Sequence, residues 1–411
     1  MNDQHSDTPS PQPHVIVIGA GPVGLLLANL LGLRGAAVTV LEKNPALAGT
    51  TSRAIGITPP SLEILEGAGL VDHFLSEGLQ IGAAHVMYTP GGHTLGSLTF
   101  DRIHDRYPFI LSIPQHRTRT ILEEGTRRFP SVTVRYEHRA EEYHERPDKG
   151  RTDEGRFDAN SPTVTVRCTD GSTWSGDYCV AADGAHGETS ARAGITHNRG
   201  SYRHRFFMAD FRDHTDLGSA AYLWFTRHGA VESFPLPSGV RRWIVQLDRQ
   251  APGESNGTAP DLEGIVRQRA GYDLDRGERL WESGFQPSWS EAETFHRGKL
   301  YLAGDAAHTM SPIGGQGMNV GFGDAALLAE LFTGDHHDAD SAVHSRYHRV
   351  RRRAARSATR RAAAGMTLGT MRGYPASAVR NVLVRIALLR IFRPWIARHF
   401  AMLAFKAGEP G

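Results

Sequence analysis

Three glycines in Gly19-Ala20-Gly21-Pro22-Val23-Gly24 have the spacing of a phosphate-binding turn. Gly19 can make the tight turn, and Gly21 lets the backbone approach a pyrophosphate. Gly24 lets the next helix pack closely on the preceding strand, with the helix N-terminus facing the anion. An acid near twenty residues on would take ribose hydroxyls, and Glu42, followed by Lys43, stands eighteen residues after Gly24. A second set lies far along the chain, in Leu302-Ala303-Gly304-Asp305-Ala306-Ala307-His308 and Ser311-Pro312-Ile313-Gly314-Gly315-Gln316-Gly317-Met318-Asn319. Asp305 can hold a polyol hydroxyl, and the glycine-rich stretch can present backbone N–H groups at a helix start. An NAD enzyme has no use for a polyol-binding aspartate so far from its pyrophosphate turn. A ribityl chain does, so the two sets together point to FAD.

Such residues need a scaffold. His14–Ile18 is a continuous apolar run, 25–33 reads as a helix and Ala37–Leu41 as a second strand, the opening of a βαβ unit with a buried parallel sheet. Segments 85–100 and 206–247 alternate, with aromatic and β-branched residues, and read as antiparallel strands. The polar stretch 141–162 reads as a surface loop, 299–303 as a short strand and 324–332 as a helix. The expected fold class is α/β, a Rossmann-type FAD-binding domain with an inserted antiparallel sheet and a C-terminal helical segment. Its pieces are a disordered lead-in at 1–13, FAD-binding parts at 14–80, 106–195 and 296–340, sheet parts at 81–105 and 196–295, and basic helices at 341–411.

The 411 residues are 40% hydrophobic and 22% charged, an ordinary globular composition. Two cysteines, Cys168 and Cys179, are too few for a disulfide scaffold or a structural zinc site, and no metal is expected. That usage, with no apolar leader at the start, fits a cytoplasmic protein. A net charge of +2 argues against a general nucleic-acid binder. The balance is uneven, however: 341–408 holds fourteen arginines, one lysine and no acid, so this segment carries +15 and the rest −13. The apolar stretch 382–405 is broken by Arg385, Arg390, Arg393, Pro394 and Arg398 and is no transmembrane span. The basic segment reads foremost as a helical layer packed on the FAD-binding part with solvated arginines. A weak membrane contact or an acidic partner is the other reading.

Between the two sets stands a third motif, Ala181-Ala182-Asp183-Gly184-Ala185-His186, after the apolar 178–180. In this order and spacing the three motifs resemble those of class A flavoprotein monooxygenases, the family of para-hydroxybenzoate hydroxylase and the polyketide aromatic hydroxylases. The resemblance covers about 15–331. It implies a glutathione-reductase-like FAD domain and a transient NADPH or NADH, since no second glycine fingerprint exists to hold the nicotinamide cofactor. It implies oxygenation of a phenolic or polycyclic aromatic by O2 through a flavin C4a-hydroperoxide, in secondary metabolism or aromatic catabolism. By position it assigns Asp183 and Gly184 to FAD and the passing nicotinamide, Arg53 to the flavin and the NADPH phosphates, and Gln115 to the flavin. Pro312 falls beside the flavin, where its carbonyl can meet substrate, so Arg53 and Pro312 take positioning roles and no general base is assigned. The sequence departs from the family downstream of Asp183: the usual serine and arginine fall on Gly187 and Ser190, with Arg192 displaced by two residues.

The substrate is expected against the inserted sheet. Tyr222, Trp224, Phe234 and Pro235 are candidate walls because they alternate along it. Ring-opening or epoxidising members share every motif. Baeyer–Villiger oxygenation by the same cofactor chemistry is an alternative outcome, although the two-Rossmann type would need a second fingerprint. An FAD-dependent reductase is a rival from a different class. Flavin halogenases carry a Trp-x-Trp-x-Ile-Pro signature, absent here. The chain resembles the compact members that lack a C-terminal thioredoxin-like domain, as a monomer or homodimer.

Overall fold

The computed structural model describes residues 12–46, 54–89, 92–146, 163–247, 260–312, 315–334 and 340–403. Arg53, most of the expected lead-in and 147–162 lie outside these residues.

The first apolar run forms the strand His14–Ile18, paired in parallel on one side with Ala37–Leu41 and on the other with Tyr178–Ala181. Val132–Arg135 and Leu300–Leu302 extend this sheet in parallel, and His296–Arg297 closes one edge antiparallel, giving six strands. The helix Pro22–Leu33 crosses between the first two strands. It is apolar all round and buried from Gly24 to Gly32, because the helices Gln115–Thr126 and Gln316–Thr333 cover it.

A seven-stranded sheet stands apart from the first. Its order is Arg279–Phe285, Phe206–Arg212, Val240–Gln246, Gly229–Leu236, Ala221–Thr226, Ala83–Met87 and Thr94–Thr99. The expected antiparallel reading needs one correction: Ala83–Met87 runs parallel to Ala221–Thr226, so the sheet is mixed. The long segment between those strands includes two strands and a helix of the FAD-binding part, which frees their direction from the hairpin rule. A second correction concerns 141–162. Its start belongs to the strand Ala140–Glu145, paired antiparallel with Val164–Cys168, because Tyr143 and Val166 find apolar cover against the core.

The basic segment forms the helices Asp340–Gly369, Ala376–Ala387 and Arg393–Phe400. The first packs on Gln316–Thr333. The other two reach across to the seven-stranded sheet and lie on Thr94–Thr99. Its arginines are not simply solvated. Arg346 pairs with Glu330, and Arg352 and Arg356 pair with Glu291. Arg351 and Arg380 are 6% and 0% exposed. No described helix is long and apolar enough to cross a membrane.

Candidate active site

At the end of His14–Ile18 the chain turns through Gly19 at φ +107°, where an added Cβ would stand 2.5 Å from the Ala182 carbonyl oxygen. A Cβ on Gly24 would stand 2.1 Å from the Gly19 carbonyl oxygen, so this glycine serves helix–strand packing. At Gly21 the same construction meets nothing within 4 Å, and the helix it opens has no side-chain cap. The first N–H groups of that helix therefore face open space, an anion site in form. The Glu42 carboxylate accepts hydrogen bonds from the Ala20 N–H at 2.9 Å and from the Asn44 N–H and Nδ2, which fixes it at the rim of the turn. Arg119 donates from Nε to the Ala20 carbonyl, 3.1 Å. Sequence reasoning missed it, although it lies four residues after Gln115 and so shares that residue's helix face.

A cavity of about 1320 Å³ opens from this turn. Gly19, Gly21, Pro22, Val23, Glu42 and Lys43 line one end, with Gln115, Asp183, Gly184, Asp305, Pro312, Gly315, Gly317 and Met318 next. Thus three motifs more than a hundred residues apart meet on one surface. Asp183 accepts from the Thr189 N–H through one oxygen, while its other is buried without a protein partner. Gly187 is what lets it sit there, since a Cβ would fall 2.1 Å from the Asp183 carboxyl carbon. The displaced Arg192 points away and bonds the Glu141 carbonyl and the Glu188 carboxylate.

Asp305 opens onto the cavity and is otherwise enclosed; burial pushes its carboxyl above the usual range, against the pull of His308 and His186. Gly315 starts the following helix at φ +62° with no side-chain cap, and the Gln316 Oε1 atom is buried without a protein partner. Asn319 is turned inward. It accepts from Thr58 N–H and Oγ1 and donates to the Gly56 and Gly315 carbonyls, so it clasps the loop and does not line the cavity.

Behind this loop lies a group that spacing did not reveal. Asp324, 0% exposed, accepts from the Gly304 N–H at 2.9 Å, His308 Nε2 at 2.8 Å and Arg351 Nε at 2.6 Å. Burial would raise its carboxyl, yet His308 and Arg351 outweigh burial and hold it below the usual range. The assembly pins the Gly304-Asp305 turn to a helix of the basic segment.

The rest of the cavity is the substrate-sized part. The seven-stranded sheet supplies Val86, Leu98, Phe206, Met208, Leu223, Phe225, Ile244, Phe285 and Phe234. Tyr222 and Trp224 face the other side, stacked on each other, with Trp224 packed against Trp243 and Tyr272 under the helix Leu262–Ala270. Pro235 is buried and accepts from Ser112 Oγ at 2.7 Å, tying the sheet to the FAD-binding part without lining the cavity. The closing wall comes from the basic segment, through Arg360, Arg361, Leu368, Leu388, Trp395 and His399. Burial lowers Arg361 to about 10, and burial with Arg361 lowers His399.

The residues present fit FAD: an open Gly21 turn, two uncapped helix starts, an acid at the ribose position, and buried Asp183 and Gln316 oxygens that await donors. Comparison with known proteins agrees. A model of the FAD binding domain matches residues 12–362. Rifampicin monooxygenase of Streptomyces venezuelae is 30% identical over 326 residues, 76% of this chain and 62% of its own length. The 6-methylpretetramide 4-monooxygenase of Streptomyces rimosus is 33% identical over 324 residues, 77% of this chain and 55% of its own length. This chain thus spans somewhat under two thirds of these relatives. The crystal structure of p-nitrophenol 4-monooxygenase from Pseudomonas putida superposes with a TM-score of 0.83, covering 96% of this chain and 98% of that one at 22% identity, a likeness of fold. The chain belongs to the FAD binding domain family, and these monooxygenases are its relatives.

Proposed function

We infer that this protein is an FAD-dependent, NADPH- or NADH-consuming monooxygenase that hydroxylates a phenolic or polycyclic aromatic compound in secondary metabolism. One observation carries the reading: the dinucleotide turn and an apolar sheet face share a single cavity of about 1320 Å³. FAD, when bound and reduced, supplies the activation of O2. The chain does the rest. The Gly21 turn and the Pro22–Leu33 helix start receive the pyrophosphate, Glu42 the ribose, and Asp305 the polyol chain. Pro312 and Met318 line the same cavity, Met318 with the cofactor residues and Pro312 to position the reacting ring. The apolar sheet face, with Leu368, Leu388 and Trp395 of the C-terminal helices, keeps water away from that ring.

The test is anaerobic reduction of the FAD-loaded protein by NADPH, followed by flavin bleaching, with and without a panel of phenols and polycyclic quinones. Bleaching accelerated many-fold by one compound class is expected. Bleaching that ignores every aromatic would refute the reading in favour of a reductase, and a protein that binds no flavin would refute it outright. We place the protein in the cytoplasm. The exposed apolar face of Ala376–Ala387, with Val379, Val382, Leu383 and Ile386, lies in a segment free of acid, which suits a weak contact with an anionic lipid surface.

A further inference from the structure

Within the seven-stranded sheet, the residues that line the cavity are apolar with one exception. Glu232 lies at the centre of Gly229–Leu236 with its side chain in the cavity, 7% exposed. Its cross-strand neighbours are Leu223 and Ile244, which also line the cavity. Among the described residues its carboxyl has no hydrogen-bond or ion-pair partner. The nearest charge on this face of the sheet, Arg242, is held by Asp210 at 2.7 Å and 2.8 Å. The basic groups across the cavity, Arg360, Arg361 and His399, make no ion pair with Glu232. Burial alone pushes its carboxyl up to about 7.

An acid in this setting weakens the fold, since a buried polar group without a partner costs free energy that a leucine would not. What it offers is an acceptor in an otherwise apolar wall. Its place along the strand matters. Pro235 is tied to Ser112 of the FAD-binding part, so Phe234 marks the end nearest the cofactor motifs. Glu232 is two residues further, about 7 Å along the strand.

We propose that Glu232 recognises the substrate by accepting a hydrogen bond from a ring hydroxyl, so that the substrate is a fused aromatic phenol whose hydroxyl lies one strand repeat from the cofactor end, and carries no carboxylate there. This rests on the aromatic-site reading above. An ether at the same position would leave the carboxylate buried and unpaired, which is how a polar group in an apolar site gains discrimination.

The experiment titrates the FAD-loaded protein with 2-naphthol and with 2-methoxynaphthalene, following the visible absorption of the flavin. The wild-type protein is expected to prefer the naphthol by about tenfold or more, the low end for a hydrogen bond to a charged group. That preference should grow as pH rises through about 7, where the carboxylate forms. Glu232→Leu should bind both compounds alike at every pH. Glu232→Gln, which keeps the shape and one acceptor oxygen, should keep a smaller preference that no longer depends on pH. Wild type and Glu232→Leu showing the same preference would overturn the proposal while leaving the aromatic site intact. A wild-type protein that binds neither compound would overturn the aromatic-site reading and this proposal with it.

Discussion

Asp324→Ala is the most informative single change for the fold around the cofactor loop. It removes a carboxylate that is 0% exposed and leaves the Gly304 N–H, His308 Nε2 and Arg351 Nε without their acceptor. Arg351, 6% exposed, keeps its charge and only the Val320 carbonyl to hold it. Breaking a buried pair in this way costs about 3–5 kcal/mol, a large part of the ~5–15 kcal/mol that a typical domain has in total. Urea denaturation of the flavin-free protein near pH 7.5 would read the loss, and FAD retention on gel filtration would read its effect on the Gly304-Asp305 turn. The sign with pH follows from the depressed carboxyl: its stabilisation is complete above the ordinary carboxylate range and is lost as pH falls through the folded value. The deficit of Asp324→Ala should therefore shrink in acid. The double variant Asp324→Leu with Arg351→Met removes both charges and should recover much of the loss. A deficit under about 1 kcal/mol, or a double variant worse than the single, would refute the claim that the buried pair holds this loop.

Three further outcomes follow from the same geometry. Leu223→Trp should abolish the acceleration of flavin bleaching by aromatics while FAD content stays normal, whereas Tyr222→Phe should leave bleaching unchanged; equal effects would contradict the sheet's orientation. Glu232 is raised from 4.5 to about 7, so the folded state holds its proton more tightly, and its stabilisation is present at low pH and fades as pH rises through 7. Relative to Glu232→Gln, the wild type should lose about 2–3 kcal/mol between pH 5 and 8 in urea titrations, and parallel curves would dispose of the burial argument. Sedimentation with vesicles rich in phosphatidylglycerol should exceed that with phosphatidylcholine vesicles and fall in high salt, and Val382→Glu should abolish it; no vesicle binding at low salt would end the lipid-contact reading.

The cofactor end was legible in the sequence because its chemistry is local. A phosphate turn needs glycine at positions where the chain itself leaves no room, as at Gly19 and Gly24, and such needs appear as spacing. The substrate wall was not legible for a specific reason. Ala221–Thr226 alternates two apolar sets, Tyr222 and Trp224 against Ala221, Leu223 and Phe225, with no polar face to break the tie. The larger aromatic set is the one that packs under Leu262–Ala270, and the smaller set leaves the space a ligand needs. Glu232 went unnoticed because a single acid in a strand reads as the solvent side. Asn319 was read as a cofactor residue because it sits in the right motif. Three of its four hydrogen bonds, those to Thr58 and Gly56, could be seen only once residues more than two hundred and fifty apart were brought together.

The basic segment illustrates how composition can mislead about purpose. Fourteen arginines without an acid suggested an exposed cationic layer. Yet Arg351 is an internal strut on Asp324, and Arg380, 0% exposed, donates to the carbonyls of Phe225, Thr226 and Met371. Each joins a C-terminal helix to a different part of the molecule, the first to the FAD loop and the second to the end of a cavity-lining strand. Arginine suits both tasks, because a planar fork of donors can satisfy several carbonyl or carboxylate oxygens at once where a lysine would not. The helix Asp340–Gly369 then acts as a rod. Its residue 351 is fixed behind Asp305, and residue 368, about 26 Å further along at 1.5 Å per residue, walls the far end of the cavity. The substrate wall is thereby held in register with the cofactor loop by a single element, and a substitution at Arg351 should disturb both ends together.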